Sequence, residues 1–439
     1  MAKLINRSKN FIAKVVKADI VRVFSLTSIS TLVRMCTGLV SVKIVASIIG
    51  PVGVALGQLN NFSTIALALA TGGINSGTTK YVAEYKNDEP KVKEYIATAF
   101  RITVTCSLVI GIFMLLLSRQ LSGLVMLTPQ YWYVFAIFGF TIVFYGLNNL
   151  LVSIVNGYQQ FNKYVKVNIV SSIFGVAFTV TLVVLWGLPG ALISAVTFQS
   201  LMIVVSILML RHLKWLKKEF FIGKFKKATA SHYFRYTLMT LTTALTTPIV
   251  QMLLRGYVMT EISQTQAGWW EGMNRISNMY LMVITSSFSV YYLPRLSEIK
   301  DRHELRHEIF KAYKIIVPML LVGFTSIYFL RFFIIRLLFT PDFMPMTHLF
   351  TWQMAGDFFK ICSWILGFIM IAKSMAKYYI ANDILTNIIW LIIGYVLVNT
   401  NGIIGLTQSY LIIYILEMLV MVLIFRNYLR NDKTNYNEY

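Results

Sequence analysis

Apolar runs about twenty residues long recur along the whole chain, and each is the length a helix needs to cross the hydrocarbon of a bilayer. Twelve can be read, at residues 23–48, 54–78, 96–118, 132–156, 166–187, 190–210, 236–259, 267–293, 314–336, 346–372, 379–398 and 404–425. Only 13% of residues are charged and 57% are apolar, whereas soluble domains carry about a quarter charged. An outer-membrane barrel is excluded, because barrel strands alternate apolar and polar residues and these runs are continuous. An aromatic content of 14% excludes disorder. Cys36, Cys106 and Cys362 sit singly in apolar stretches, which excludes a disulfide scaffold and gives no metal-ligand spacing. The predicted class is an all-α polytopic membrane protein.

The net charge of +22 is explained by where the basic residues lie. With the N-terminus cytoplasmic, 32 of the 40 Lys and Arg residues fall in cytoplasmic segments. The other side holds three, Arg119, Arg331 and Arg336, and five lie inside spans. Basic residues in short loops stay on the cytoplasmic side, so both termini are expected inside and the number of spans is even. No nucleic-acid partner is needed. Residues 1–19 place Leu4, Phe11, Ile12, Val15 and Val16 at helical spacing between lysines. They read as an amphipathic helix on the anionic inner leaflet. Residues 427–439 read as a cytoplasmic tail.

No segment between spans exceeds about 25 residues, and no phosphate-binding Gly-Lys loop of the Walker type is present. His303 and His307 are spaced for a metal. They alternate with Glu304 and Glu308 in a charged segment and read as a solvated helix face. No cofactor or metal is expected. Many spans without a catalytic domain point to a secondary transporter.

Such transporters are often two related halves. Gly53-x-x-x-Gly57 recurs as Gly268-x-x-x-Gly272 at an offset of 215, and Ala83-Glu84-Tyr85-Lys86 recurs as Ser297-Glu298-Ile299-Lys300 at an offset of 214. The expected organisation is an N-lobe over 20–212 (helices 1–6), a basic cytoplasmic linker over 213–233 and a C-lobe over 234–426 (helices 7–12). The lobes would be two six-helix sets related by a pseudo-twofold axis along the membrane normal, with a cavity between them.

Charges inside a bilayer are costly and usually face protein or water. Arg34, Lys43, Arg255, Glu271, Arg275, Asp357, Lys360, Asp383 and Glu417 are the candidates. Glu271 with Arg275, and Asp357 with Lys360, share a helix face. Each pair is either structural or functional. Arg34, Lys43 and Arg255 have no acidic neighbour in sequence and suit an anion, although Lys43 could instead snorkel to an interface. Glu417 and Asp383 are candidates to carry a proton or Na⁺, with Asp383 alternatively at the cytoplasmic mouth. Gln251, Asn274 and Gln353 could hydrogen-bond sugar hydroxyls. Trp269, Trp270, Trp352 and Trp364 could stack on sugars or mark the interface.

Several stretches carry a resemblance. They are Gly50-Pro51-x-Gly53, Gly73-Ile74-Asn75-x-Gly77 and Lys80-Tyr81-Val82-Ala83-Glu84-Tyr85. In the second half they are Ser287-Phe288-Ser289-Val290-Tyr291-Tyr292-Leu293-Pro294 and Trp352-Gln353-x-x-Gly356-Asp357 with Lys360. Over roughly residues 20–426 the chain resembles Wzx-type flippases of lipid-linked oligosaccharides. These include O-antigen translocases and enterobacterial lipid III flippases, within the multidrug/oligosaccharidyl-lipid/polysaccharide exporter superfamily. The resemblance implies an undecaprenyl-pyrophosphate-linked glycan as substrate, moved across the bacterial inner membrane into a cationic cavity and out again. It also implies the polymerase and chain-length regulator of the same pathway as partners. A multidrug cation antiporter of the same superfamily, or a membrane-embedded polysaccharide polymerase, are the alternatives.

Overall fold

The computed structural model describes residues 29–223, 226–288, 292–299, 301–373 and 375–429. The amphipathic segment read over 1–19, residues 430–439 of the tail, and Ser289, Val290 and Tyr291 of the resembling stretch lie outside them. Fourteen helices follow in chain order: α1 (Ile29–Ile49), α2 (Val54–Ala70), α3 (Asn75–Glu84), α4 (Glu89–Leu116), α5 (Ser118–Met126), α6 (Trp132–Gly157) and α7 (Phe161–Leu210). Then come α8 (Lys227–Glu261), α9 (Gln264–Ser287), α10 (Leu293–Glu298), α11 (Arg302–Leu338), α12 (Phe350–Ala372), α13 (Ala376–Asn401) and α14 (Ile403–Leu429). Among the described residues there is no strand. Among the same residues, eight helical stretches are long and apolar enough to span a bilayer. α2, α8 and α9 are not among them. α2 is only 17 residues long, and α8 and α9 carry the ionisable and amide side chains described below.

Glycines in the left-handed region decide where helices stop. Gly50 (φ +67°) follows α1, returns its N–H to the Ala46 carbonyl at 3.0 Å, and hands over to Pro51. A left-handed glycine followed by proline is a standard helix stop. The apolar run over 54–78 was expected as one span. It is two helices, because Gly72 and Gly73 both adopt φ near +60° and the Gly73 N–H closes back on the Ala68 carbonyl at 3.0 Å.

The longest helix, α7, holds two expected spans. Gly187 breaks it with φ 60° and ψ −132°. A Cβ on Gly190 would lie 1.9 Å from the Leu182 carbonyl oxygen, and one on Gly175 would lie 3.1 Å from the Phe198 ring. Residues that far apart along a straight helix would never meet, so the chain doubles back at Gly187. The same turn joins α13 to α14. Gly402 has φ 60° and ψ −144°, and a Cβ on Gly405 would lie 2.0 Å from the Leu397 carbonyl oxygen. Every member of the second turn is 215 residues after its counterpart, the same offset that separates Gly53 from Gly268.

The chain divides into two compact units. One holds residues to 44, 66–124 and 128–241, and the other holds 45–65, 125–127 and 242 onward. In the first, α4 and α6 touch backbone to backbone at Gly111 and Gly139, where a Cβ on Gly111 would lie 2.5 Å from the Gly139 oxygen. Val92, Ile96, Leu150 and Ile154 form its core together with Trp215, Phe220 and Tyr233. The basic stretch expected as a linker is therefore packed down on this unit. Trp215 stacks on Tyr158 at 5.8 Å, and the Lys93 ammonium sits 4.9 Å from the Phe220 ring centre. In the second, α12 lies on α14, with Gly356 against the Tyr410 ring. Leu281, Leu296, Ile309, Ile361 and Phe425 form its core.

Alanine at Gly190 or Gly405 meets backbone rather than a flexible side chain. Each substitution should destabilise by about 1–3 kcal/mol, the usual cost of overpacking. Gly323 in α11 has nothing within 4 Å, so Gly323→Ala should be neutral or stabilising by up to ~1 kcal/mol from helix propensity. Thermal unfolding of the detergent-purified protein reads all three.

Candidate functional site

Two polar constellations lie in the second unit. The first is built around α9, which is seated tightly because Gly268 is pressed onto the Pro51 carbonyl, 2.0 Å from where its Cβ would be. One turn later Glu271 projects beside Gly57 of α2. A Cβ on Gly57 would lie 2.5 Å from that carboxylate, so the carboxylate occupies the space a side chain on α2 would have taken. The two glycine motifs of the sequence thus flank one contact.

Glu271 accepts from two guanidinium groups. Arg255 of α8 donates through Nη2 to Oε2 at 2.6 Å, and Arg275, one turn along α9, donates through Nε to Oε1 at 3.0 Å. Arg255 is 1% exposed. Its Nη1 donates to the Gln58 oxygen at 3.3 Å, and its plane lies 5.2 Å from the Trp270 ring centre. Gln58 in turn donates to the Met252 carbonyl at 3.1 Å, and Asn61 donates to Gln251 at 3.2 Å. Arg255 therefore differs from its expectation as a cation without an acidic neighbour. Its carboxylate is Glu271, on the next helix. A buried guanidinium left without a partner costs several kcal/mol, so this pairing is required by the burial. Among the same residues, Arg255 Nε, Trp270 Nε1 and Asn274 Nδ2 are buried donors with no acceptor.

The second constellation centres on Asp357 of α12, which is fully buried. The sequence suggested a direct pair with Lys360. Instead the carboxylate takes three hydroxyl donors: Ser277 at 2.6 Å, Tyr410 at 2.7 Å, and Tyr280. Lys360 donates to the Tyr410 oxygen at 3.0 Å, so Tyr410 carries the interaction from ammonium to carboxylate. The Lys360 ammonium also lies 4.8 Å from the Tyr414 ring centre and 5.3 Å from those of Tyr410 and Trp364. Three rings around one cation supply the stabilisation that a distant carboxylate does not. These tyrosines were missed because tyrosine in an apolar run reads as apolar. Their spacing at 410 and 414, one turn apart, was the available signal.

Of the remaining candidates, Glu417 lies within electrostatic range of Lys360 and of Asp383. Asp383 of α13 accepts from Thr246 of α8 at 2.6 Å. Glu417 of α14 accepts from Asn382 at 3.5 Å. Arg34 and Lys43 lie on α1 in the first unit, Arg34 exposed and Lys43 half-buried. Trp270 is buried under Arg255, and Trp269 donates to the Asp342 carbonyl at 2.9 Å. Gln353 is buried with both amide atoms unpartnered. Among the described residues no group of three potential metal ligands converges.

The family described as polysaccharide biosynthesis protein matches residues 20–300. The chain is 27% identical over 390 residues to the lipid III flippases of Escherichia coli (strain K12) and Shigella flexneri, covering 89% of this chain and 94% of each relative. Among solved structures, an inward-facing multidrug resistance MATE family transporter of the MOP superfamily superposes with a TM-score of 0.72 at 16% identity, over 91% of this chain and 98% of that one. The lipid II flippase MurJ in an inward closed conformation superposes with a TM-score of 0.69 at 15% identity, over 91% and 87%. These structures share the fold.

Removing the Tyr410 hydroxyl strips one donor from Asp357 and the acceptor from Lys360. Tyr410→Phe should cost about 1–3 kcal/mol, the price of unsatisfied buried polar groups. A double mutant with Asp357→Asn should show strong non-additivity in thermal unfolding, and simple additivity would remove Tyr410 from its bridging position.

Proposed function

The chain belongs to the polysaccharide biosynthesis protein family, and on that premise we propose that it is a flippase of lipid-linked oligosaccharides. Its substrate is an undecaprenyl-pyrophosphate-linked repeat unit of the O-antigen or enterobacterial common antigen type. It carries this from the cytoplasmic to the periplasmic face of the bacterial inner membrane by alternating access. No bond is made or broken on the way.

The carrying observation is that two guanidinium groups, one of them wholly buried, converge on a single carboxylate at Glu271. Two cations against one anion leave a positive excess among neutral amide side chains. Guanidinium groups match the oxygens of phosphate in geometry as well as charge. An organic cation would be repelled there, which weighs against a multidrug cation antiporter. The lipid III flippases similar to this chain over 89% of its length support the same substrate class.

Within this proposal the twelve spans form two six-helix lobes over 20–212 and 234–426, joined by 213–233, with both termini cytoplasmic. That orientation rests on the distribution of Lys and Arg among the loops. Arg255, Arg275 and Lys360 contact the pyrophosphate, and Arg34 and Lys43 are assigned the same chemistry. Glu417 or Asp383 couples transport to a proton or Na⁺. The polymerase and chain-length regulator of the pathway receive the product.

In a strain lacking this gene, single lipid-linked repeat units should accumulate on the cytoplasmic face, as read by their protection from membrane-impermeant labelling. Units exposed outside but never polymerised would assign a polymerase instead. Ethidium efflux in place of glycan movement would assign a cation antiporter. Arg34 is exposed and forms no ion pair among the described residues, so its loss should spare folding. Arg34→Ala should therefore abolish surface glycan at normal protein abundance, and full glycan would remove Arg34 from the mechanism.

A further inference from the structure

Glu271 sits where a bound anion would sit. Its two oxygens are divided between two guanidinium groups, Oε2 to Arg255 and Oε1 to Arg275, as neighbouring phosphate oxygens would be. Three features argue that the carboxylate is a temporary occupant rather than the best partner these groups can have.

First, the carboxylate fills a notch left by Gly57 on α2. Rotation of Glu271 out of that notch would uncover the glycine face of α2, where no side chain of Gly57 takes the carboxylate's place. Second, donors outnumber acceptors around it. Arg255 Nε, Trp270 Nε1 and Asn274 Nδ2 are all buried N–H donors without an acceptor. Trp270 and Asn274 lie within one helical turn of Glu271, and the third donor belongs to its own partner. A buried donor left unpaired is costly. The carboxylate accepts one guanidinium at each oxygen and reaches none of these three donors, whereas a phosphate or pyrophosphate brings more oxygens to the same place. Third, the charge does not balance, because two guanidinium groups face one carboxylate.

We infer that Glu271 is a displaceable placeholder for the substrate's phosphate, and that it takes up a proton from the aqueous phase when that anion replaces it between Arg255 and Arg275. An ionised Glu271 beside a newly arrived dianion would repel it across a medium of low dielectric, which screens little. Protonation removes that repulsion, and the proton returns to water when the anion leaves and the carboxylate re-forms its two ion pairs. No covalent bond other than the carboxyl O–H changes. The ionisable groups facing Glu271 are Arg255 from α8 and Arg275 from α9. α2 brings only Gly57 and Gln58. On α12, Asp357 is engaged by Ser277, Tyr280 and Tyr410, and Lys360 by Tyr410. The inference rests on the proposed anion site and deepens it, because it adds a proton step in the binding site itself to the coupling assigned to Glu417 or Asp383.

The test is calorimetric titration of the purified full chain in detergent with inorganic pyrophosphate, in two buffers of different ionisation enthalpy. The difference between buffers counts protons. The wild type should take up about one proton more per bound pyrophosphate than Glu271→Gln, the stoichiometry expected of one titrating carboxyl. Glu271→Gln should bind pyrophosphate more tightly by roughly tenfold, within the usual range of coupling between competing ligands. Glu271→Asp keeps a charge beside the buried Arg255 and protects against misfolding. It should also bind more tightly, because the shorter side chain cannot span both guanidinium groups, while retaining the proton uptake. Equal proton counts in wild type and Glu271→Gln, or unchanged affinity in Glu271→Asp, would overturn the inference and leave the anion site standing. Absence of pyrophosphate binding in every variant would overturn the anion site itself, and the inference with it.

Discussion

Inside a hydrocarbon slab only the protein can satisfy its own polar groups, and most of this structure follows from that shortage of partners. The backbone meets it by staying helical until a glycine permits a tight, self-capped turn. Gly50, Gly72 with Gly73, Gly187 and Gly402 each adopt φ between 60° and 67°. Hydroxyls inside helices meet the shortage locally. Thr71, Thr78 and Thr285 return their protons to carbonyls one turn back. The charges are satisfied only in part on their own helix, as Arg275 is by Glu271, and otherwise tie helices together within the second unit.

The two carboxylates at the heart of that unit resolve the same difficulty in different ways. Asp357 is surrounded by neutral hydroxyls, and its nearest cation is held at one remove by a tyrosine and a ring of aromatic faces. The carboxylate is thereby nearly complete, and little remains for a ligand to add to it, while the Lys360 ammonium spends one of its three donors on Tyr410. Glu271 is held by two full positive charges with orphaned donors beside them. The first arrangement locks α9, α12 and α14 together. The second leaves both charge and hydrogen-bonding capacity unspent, which is what a binding site requires and a structural pair does not.

Much of the fold could be read directly, because length and hydropathy are properties of a single stretch. Among the described residues helices lie over the expected spans, and the division misread at 54–78 was flagged by adjacent glycines. The site was legible in its membership but not in its pairing. Glu271 with Arg275 follows from helical spacing and is found at 3.0 Å. The tie from Arg255 to Glu271 links two helices 16 positions apart in sequence, and no local periodicity encodes it. Asp357 and Lys360 show the opposite failure. Spacing favoured a direct contact, but Tyr410 on α14, 53 residues from Asp357 and 50 from Lys360, came between them.

The turns at Gly187 and Gly402 are the same turn, written twice 215 residues apart, down to the leucine carbonyl each one approaches. The charged residues are not written twice. At the positions 215 before Asp357, Lys360 and Tyr410 stand Ile142, Tyr145 and Ala195. The backbone plan of this chain is thus stored redundantly, and its electrostatics in a single copy. A variant of one turn can be judged against an intact internal reference. A variant of the charged cluster has no such counterpart, and its consequences must be read from the molecule's behaviour alone.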